Sequence, residues 1–380
     1  MDISAPKTSA YDGPVAWLDR PQAAVINSRQ SKFPLGTDSW VAATCRAIAS
    51  LSGSDHVVLT SLGMNTWELT LMLAAQYNLP TIVITVAAPE ARREFEKQVI
   101  SRFRLEPDRV GFLFLPETAG KGPKGWWPAR DMAVFDLADM ILPISIRPRG
   151  TLNSLLALHR SKIDQNYTVA YKKNDRHRPN YDGRSFSSAL ANEEWLIHFT
   201  RSSGSPWPGE SAYDFYGAII ASGEEYCHSA RSGLLRILRR KIIYGSSRNI
   251  RGGFRVVGFS AVNPDMITRL FRYRSRLLNS NFEPFGIALP KAKAHALDLR
   301  PVIYGRPELY PQLDSDNQPF FQSEGSRGGI WRGENEWRFY GDFKLETSTV
   351  EVMRIVVPDK KAAESVKHLS SAEIITLFSG

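Results

Sequence analysis

Between about residue 20 and residue 172, short Val- and Ile-rich runs alternate with stretches of helical periodicity, and that alternation restricts the first half of the chain to one kind of architecture. The apolar runs fall at 23–27, 56–60, 81–85, 110–115, 140–144 and 168–171, with helical patterns at 38–50, 65–77, 89–102, 128–137 and 152–161. Short strands that are apolar on both sides need cover on both sides. Helices between them supply it, so the expected fold is an open parallel sheet of the α/β class spanning residues 1–171. Right-handed crossovers bring every strand-to-helix loop to one edge of that sheet.

The pattern stops at KKNDRHRPNYDGRSFSS, a polar stretch with turn signals, and residues 172–192 are read as a linker. Residues 193–380 form the second expected domain, of α+β type. Strands are expected at 195–200, 254–260, 286–289, 301–304, 336–343 and 350–357. Helices are expected at 213–222 and 229–240, with an arginine-rich helix at 264–278. A chain of 380 residues exceeds the usual size of one core, so two domains are also the expectation from length.

Composition narrows the function classes. No apolar run reaches the roughly 20 residues a membrane helix needs, and the first residues lack a secretory pattern, so a cytoplasmic protein with no membrane partner is expected. The two cysteines, Cys45 and Cys227, have no metal-type spacing, so neither a disulfide framework nor a bound metal is expected. The formal net charge is +9, and residues 231–276 hold twelve Arg or Lys against the single acid Asp265. Such a field attracts a polyanion or a phosphate-bearing cofactor, although a solvated basic face has the same composition.

Three loops leave the carboxyl ends of strands in the first half, where open α/β sheets bind ligands. They carry Ser28 and Arg29, then Ser61, Gly63 and Asn65, then Arg149, Gly150 and Thr151. Helix N-termini present free amides and a positive dipole end, which suit phosphate, and Arg29, Arg147 and Arg149 add charge. Plain helix capping by Ser28, Asn65 or Thr151 accounts for the same residues. There is no GxGxxG and no Walker motif. Asn27-Ser28-Arg29, Ser61-Leu62-Gly63 and Gly150-Thr151-Leu152 resemble the Gly-Ser-Arg, Ser-Gly and Gly-Thr-Leu turns of the Rossmann-type domain of the DNA-processing protein A family, related to nucleotide-sensing (SLOG) domains. Asn27 stands where that family has glycine. The resemblance implies a nucleotide or single-stranded DNA as ligand.

In the second half, Trp331-Arg332-Gly333-Glu334-Asn335-Glu336-Trp337-Arg338 puts two glutamates on one side of an extended segment. Flanking tryptophans would strengthen a carboxylate's electrostatic effect, as glycosyl transfer through an oxocarbenium-like state requires. An edge strand pairing its glutamates with Arg332 and Arg338 would look the same. His198 and Thr200 share one face of an earlier strand. Together with RVVGFS, FEPFGIAL and ENEWRFYGDF, these resemble bacterial abortive-infection and toxin-like ADP-ribosyltransferases. That resemblance implies NAD as cofactor, Glu336 as catalytic glutamate with Glu334 and His198 beside it, and an NAD cleft of His198, Thr200, Arg201, Ser246, Ser247, Phe259 and Ser260. The expectation is an ADP-ribosyltransferase-like effector joined to a nucleotide-sensing domain, acting in bacterial anti-phage defence on nucleic acid or protein. The alternatives are an NAD hydrolase or a non-catalytic single-stranded nucleic-acid-binding protein.

Overall fold

The computed structural model describes residues 11–116, 125–172, 194–261, 271, 273–274, 279–280, 282–324 and 335–378. The chain divides into two compact units. The first holds residues 1–176 and 205–227, and the second holds 177–204 and 228–380.

In the first unit the strands are β1 (Tyr11–Asp12), β2 (Gln22–Ile26), β3 (Val57–Thr60), β4 (Thr81–Thr85), β5 (Val110–Phe114) and β6 (Met140–Pro143). They form one sheet in the order β1-β5-β4-β3-β2-β6. All neighbours from β5 to β6 run parallel, and β1 adds an antiparallel edge. The helices are α1 (Ser39–Ser50), α2 (Asn65–Gln76), α3 (Arg92–Phe103), α4 (Trp127–Leu137), α5 (Thr151–Leu158) and α6 (Ala212–Ala221). Every residue of β2 through β5 is buried, as a sheet covered on both faces demands. Ala23, Val25, Val58, Val83 and Phe112 pack toward α1 to α3. Ala24, Ile26, Leu59, Ile82 and Ile84 pack toward Val134, Phe135 and Leu152 of α4 and α5. Residues 168–171 do not form the expected strand. Thr168 instead donates its hydroxyl to the Pro143 carbonyl at 2.7 Å, and Val169 N–H bonds the Ile144 carbonyl at 2.8 Å.

Helix α6 follows the expected linker in sequence yet packs on the first unit. Ala212, Phe215, Tyr216 and Ile219 join the core that contains α2 and α3. The Tyr216 ring stacks on Phe103 at 6.4 Å, and its hydroxyl donates to Glu68 Oε2 at 2.9 Å. Gly36 permits the contact, because a Cβ there would stand 2.1 Å from the Ile220 carbonyl oxygen. Segment 205–227 therefore lies outside the unit its sequence position suggests, because its apolar face fits α2 and α3.

The second unit contains β7 (Trp195–Phe199), β8 (Ile242–Ile243), β9 (Val256–Ser260), β10 (Tyr273–Arg274), β11 (Asn279–Ser280), β12 (Gly286–Pro290), β13 (Arg300–Pro301), β14 (Ile303–Gly305), β15 (Phe321–Ser323), β16 (Glu336–Tyr340), β17 (Phe343–Lys344), β18 (Arg354–Val357) and β19 (Glu373–Thr376). Its helices are α7 (Ala230–Arg240), α8 (Thr347–Val352) and α9 (Lys360–Val366). Seven strands form a mixed sheet in the order β13-β16-β9-β7-β12-β18-β19, antiparallel except at β18-β19. The expected strand at 350–357 begins as helix α8. The expected 336–343 strand breaks at Gly341, whose φ of 96° turns the chain into β17. The expected linker, apart from Lys172, lies outside the described residues, as does most of the expected helix at 264–278. Among the described residues no helix is long and apolar enough to cross a membrane.

Candidate functional site

In the first unit the strand order reverses between β2 and β6. The loops that follow these two strands stand side by side at the carboxyl edge of the sheet. Hydrogen bonds fasten them together. Ser28 N–H donates to the Ser145 carbonyl at 3.0 Å, the Gln30 amide to the same oxygen at 3.2 Å, and Arg147 N–H to Ser28 Oγ at 2.9 Å. Asn27 is buried and donates to Thr44 Oγ1 at 3.0 Å, which ties the loop to α1. The loop before α2 joins the same edge, where the Asn65 amide donates to the Ser31 carbonyl at 2.8 Å.

These contacts divide the expected ligand residues into two groups. Ser28 and Asn65 serve as scaffold, and Ser61 does too, being fully buried with its hydroxyl donating to the Ile84 carbonyl at 2.7 Å. The amide of Gly63 donates to Glu68 Oε1 at 3.0 Å. Arg29, Arg147, Arg149 and Thr151 remain exposed around the mouth. Arg149 adopts a φ of 59°, a left-handed conformation that costs a non-glycine residue about 1–2 kcal/mol. The turn that holds it there closes from Gly150 N–H to the Arg147 carbonyl at 3.1 Å. Strain of this kind collects at ligand clamps. Next to it, Gly150 caps α5, so the first amides of that helix open toward the same edge. Sequence reasoning missed Gln30 and Ser145 as the clasp between the loops. Their burial is a product of the pairing of β2 with β6, and only the small polar character of Ser145 hinted at it.

In the second unit the two residues expected to face each other do not. Glu336 pairs with Ser260, and Ser260 pairs with Ile197, so these three point to one face of the sheet. His198, one residue on from Ile197, points to the other face, where its ring lies 5.7 Å from that of Phe259. Its Nδ1 lies 2.8 Å from the Gly258 carbonyl, and a carbonyl only accepts, so Nδ1 carries the proton. Burial pushes the imidazole pKa below its ordinary value. The Gly258 carbonyl opposes that shift and Arg201 reinforces it.

Glu336 is engaged elsewhere. Arg338, 1% exposed, donates from Nε to Glu336 Oε1 at 2.9 Å and from Nη2 to Oε2 at 3.1 Å. Its remaining donors reach the carbonyls of Pro319 and Phe321 and Oε1 of Gln322. The carboxylate is thus the counter-ion of a buried guanidinium that pins residues 319–322 to β16. The Thr200 hydroxyl lies 2.8 Å from the Ala230 carbonyl and 3.0 Å from that of Phe285. Phe259 and Ser260 are buried. Ser246 pairs with Val256, about 13 Å along β9 from Ser260, and the exposed Ser247 follows it. Arg201 is exposed, and Glu334 lies outside the described residues. The described residues of the expected NAD site are thus spread over two faces of the sheet and both ends of β9.

No family model matches the chain, and no curated protein matches it. Solved structures that resemble part of it include two of DNA processing protein A. One is DNA processing protein A from Helicobacter pylori, described for its single-stranded DNA binding mode. It is 16% identical over 40% of this chain and 68% of that chain, with a TM-score of 0.29. The other is DNA processing protein A from Streptococcus pneumoniae, 20% identical over 40% of this chain and 51% of that chain, with a TM-score of 0.30. The matched part therefore spans about half of the Streptococcus chain.

Proposed function

We propose that the first unit binds single-stranded nucleic acid at the paired loops after β2 and β6. The observation that carries this reading is the contrast between the crevice and its rim. The crevice is lined by buried Asn27, Ser28, Gln30 and Ser145, which bond to one another or to α1. The rim bears Arg29, Arg147 and Arg149, all exposed. An exposed basic rim meets a phosphate chain at the surface. A flexible strand can bend successive phosphates onto clustered arginines.

The test is fluorescence anisotropy with a labelled oligothymidylate across a salt series. Affinity is expected to fall steeply with salt, and each arginine replaced by alanine should flatten the log–log slope by about 0.7. Absence of measurable binding at low salt would overturn the proposal.

A further inference from the structure

We infer that the second unit carries a stacking platform for the bases of single-stranded nucleic acid, centred on Tyr340. The inference takes the ligand class from the proposed function but stands on different residues. Tyr340 ends β16 with 56% of its surface exposed, which is unusual for so large a ring. Phe254 meets it edge-on at 6.0 Å and 75°, which holds the Tyr340 ring without covering it. Phe254 in turn leans over Gly252, where a Cβ would stand 2.6 Å from the Phe254 ring and 2.2 Å from Tyr310 Oη. The Arg251 guanidinium lies 4.4 Å from the centre of the Tyr310 ring. Three aromatic rings and a guanidinium plane are therefore contiguous at one end of the β9-β16 pair.

Cations outnumber acids on the segments around them, with Glu308 two residues from Tyr310. No acid occurs between Glu225 and Asp265 in the sequence. Arg240, Lys241, Arg248 and Lys344 are exposed on the segments that border this end of the sheet. The neighbouring carboxylate, Asp342, is held by Arg255 at 2.7 Å. Ser246 pairs with Val256 on one edge of β9 and Tyr340 pairs with it on the other, so the loop bearing Arg248 starts one strand away from the ring. Bases stack on exposed aromatic faces regardless of sequence while cations follow the backbone, and only an unpaired strand offers its base faces in this way.

The experiment compares the full chain with Tyr340→Ala, Tyr340→Phe and Arg29→Ala, using oligothymidylate affinity and mass-spectrometric mapping of ultraviolet cross-links. Tyr340→Ala should weaken binding about five- to 150-fold, the equivalent of losing one stacked base. Tyr340→Phe, which keeps the ring face, should bind as the unaltered chain does. The cross-linked peptide should contain Tyr340, and should still do so in Arg29→Ala. Unchanged affinity in Tyr340→Ala overturns the platform, as do cross-links confined to the first unit, while both leave the first-unit proposal standing. No binding by the unaltered chain removes both.

Discussion

Glu336 and His198 belong to the two strands that flank β9, and their side chains leave the sheet on opposite faces. The carboxylate grips Arg338 on one side, and the imidazole is hydrogen-bonded to the Gly258 carbonyl and faces Phe259 on the other. Glu336→Gln should therefore act on stability. Losing the charge-assisted fork to a buried guanidinium should cost about 1.5–3 kcal/mol, read as a lower urea midpoint for the second unit. NAD consumption should be the same in variant and unaltered chain. A variant with an unchanged midpoint that alone loses NAD turnover would restore the catalytic reading.

His198 gives the second unit a dependence on pH. Burial lowers its folded pKa below the unfolded value near 6.5, so in the window between the two the unfolded chain binds more protons. Its contribution is complete above the unfolded pKa and declines as pH falls below it. Urea midpoints followed from neutral to mildly acid pH should drop in the unaltered chain. The drop should be smaller in His198→Asn, and equal slopes in the two chains would contradict the assignment.

Gly36 is where α6 approaches the first unit too closely for a side chain. Gly36→Ala places a methyl group on the Ile220 carbonyl, and such overpacking should cost about 1–3 kcal/mol. Limited proteolysis should then cut within 205–227 much faster than in the unaltered chain. An unchanged cleavage pattern would show that the segment does not dock as described.

Arg149→Gly should move stability and binding in opposite directions. Glycine adopts the left-handed turn without strain, so the first unit should gain up to about 1 kcal/mol, while oligonucleotide affinity and its salt slope should fall. A variant that loses stability, or binds as before, would argue against Arg149 as a strained clamp.

Much of the first unit was legible in the sequence. Runs such as Val57–Thr60 and Thr81–Thr85 are apolar at every position or filled by Thr, and only a parallel sheet between helix layers buries such runs. The three loops at its carboxyl edge followed from connection handedness. Which of their residues are spent on scaffold was not legible, because Ser61 and Arg29 look equally ready for a ligand until the partners of the serine hydroxyl are known. In the second unit the glutamate and histidine were correctly located on strands, but the face each presents depends on register.

The sequence by itself determined the strand-and-helix alternation, the polar break after residue 171 and the basic tract of the second half, because periodicity and charge are local properties. Tertiary structure decided that α6 joins the first unit, that Glu336 neutralises Arg338, and that His198 faces away from it. Those outcomes depend on which strands become neighbours and in what register, and a shift of one residue moves a side chain to the other side of a sheet.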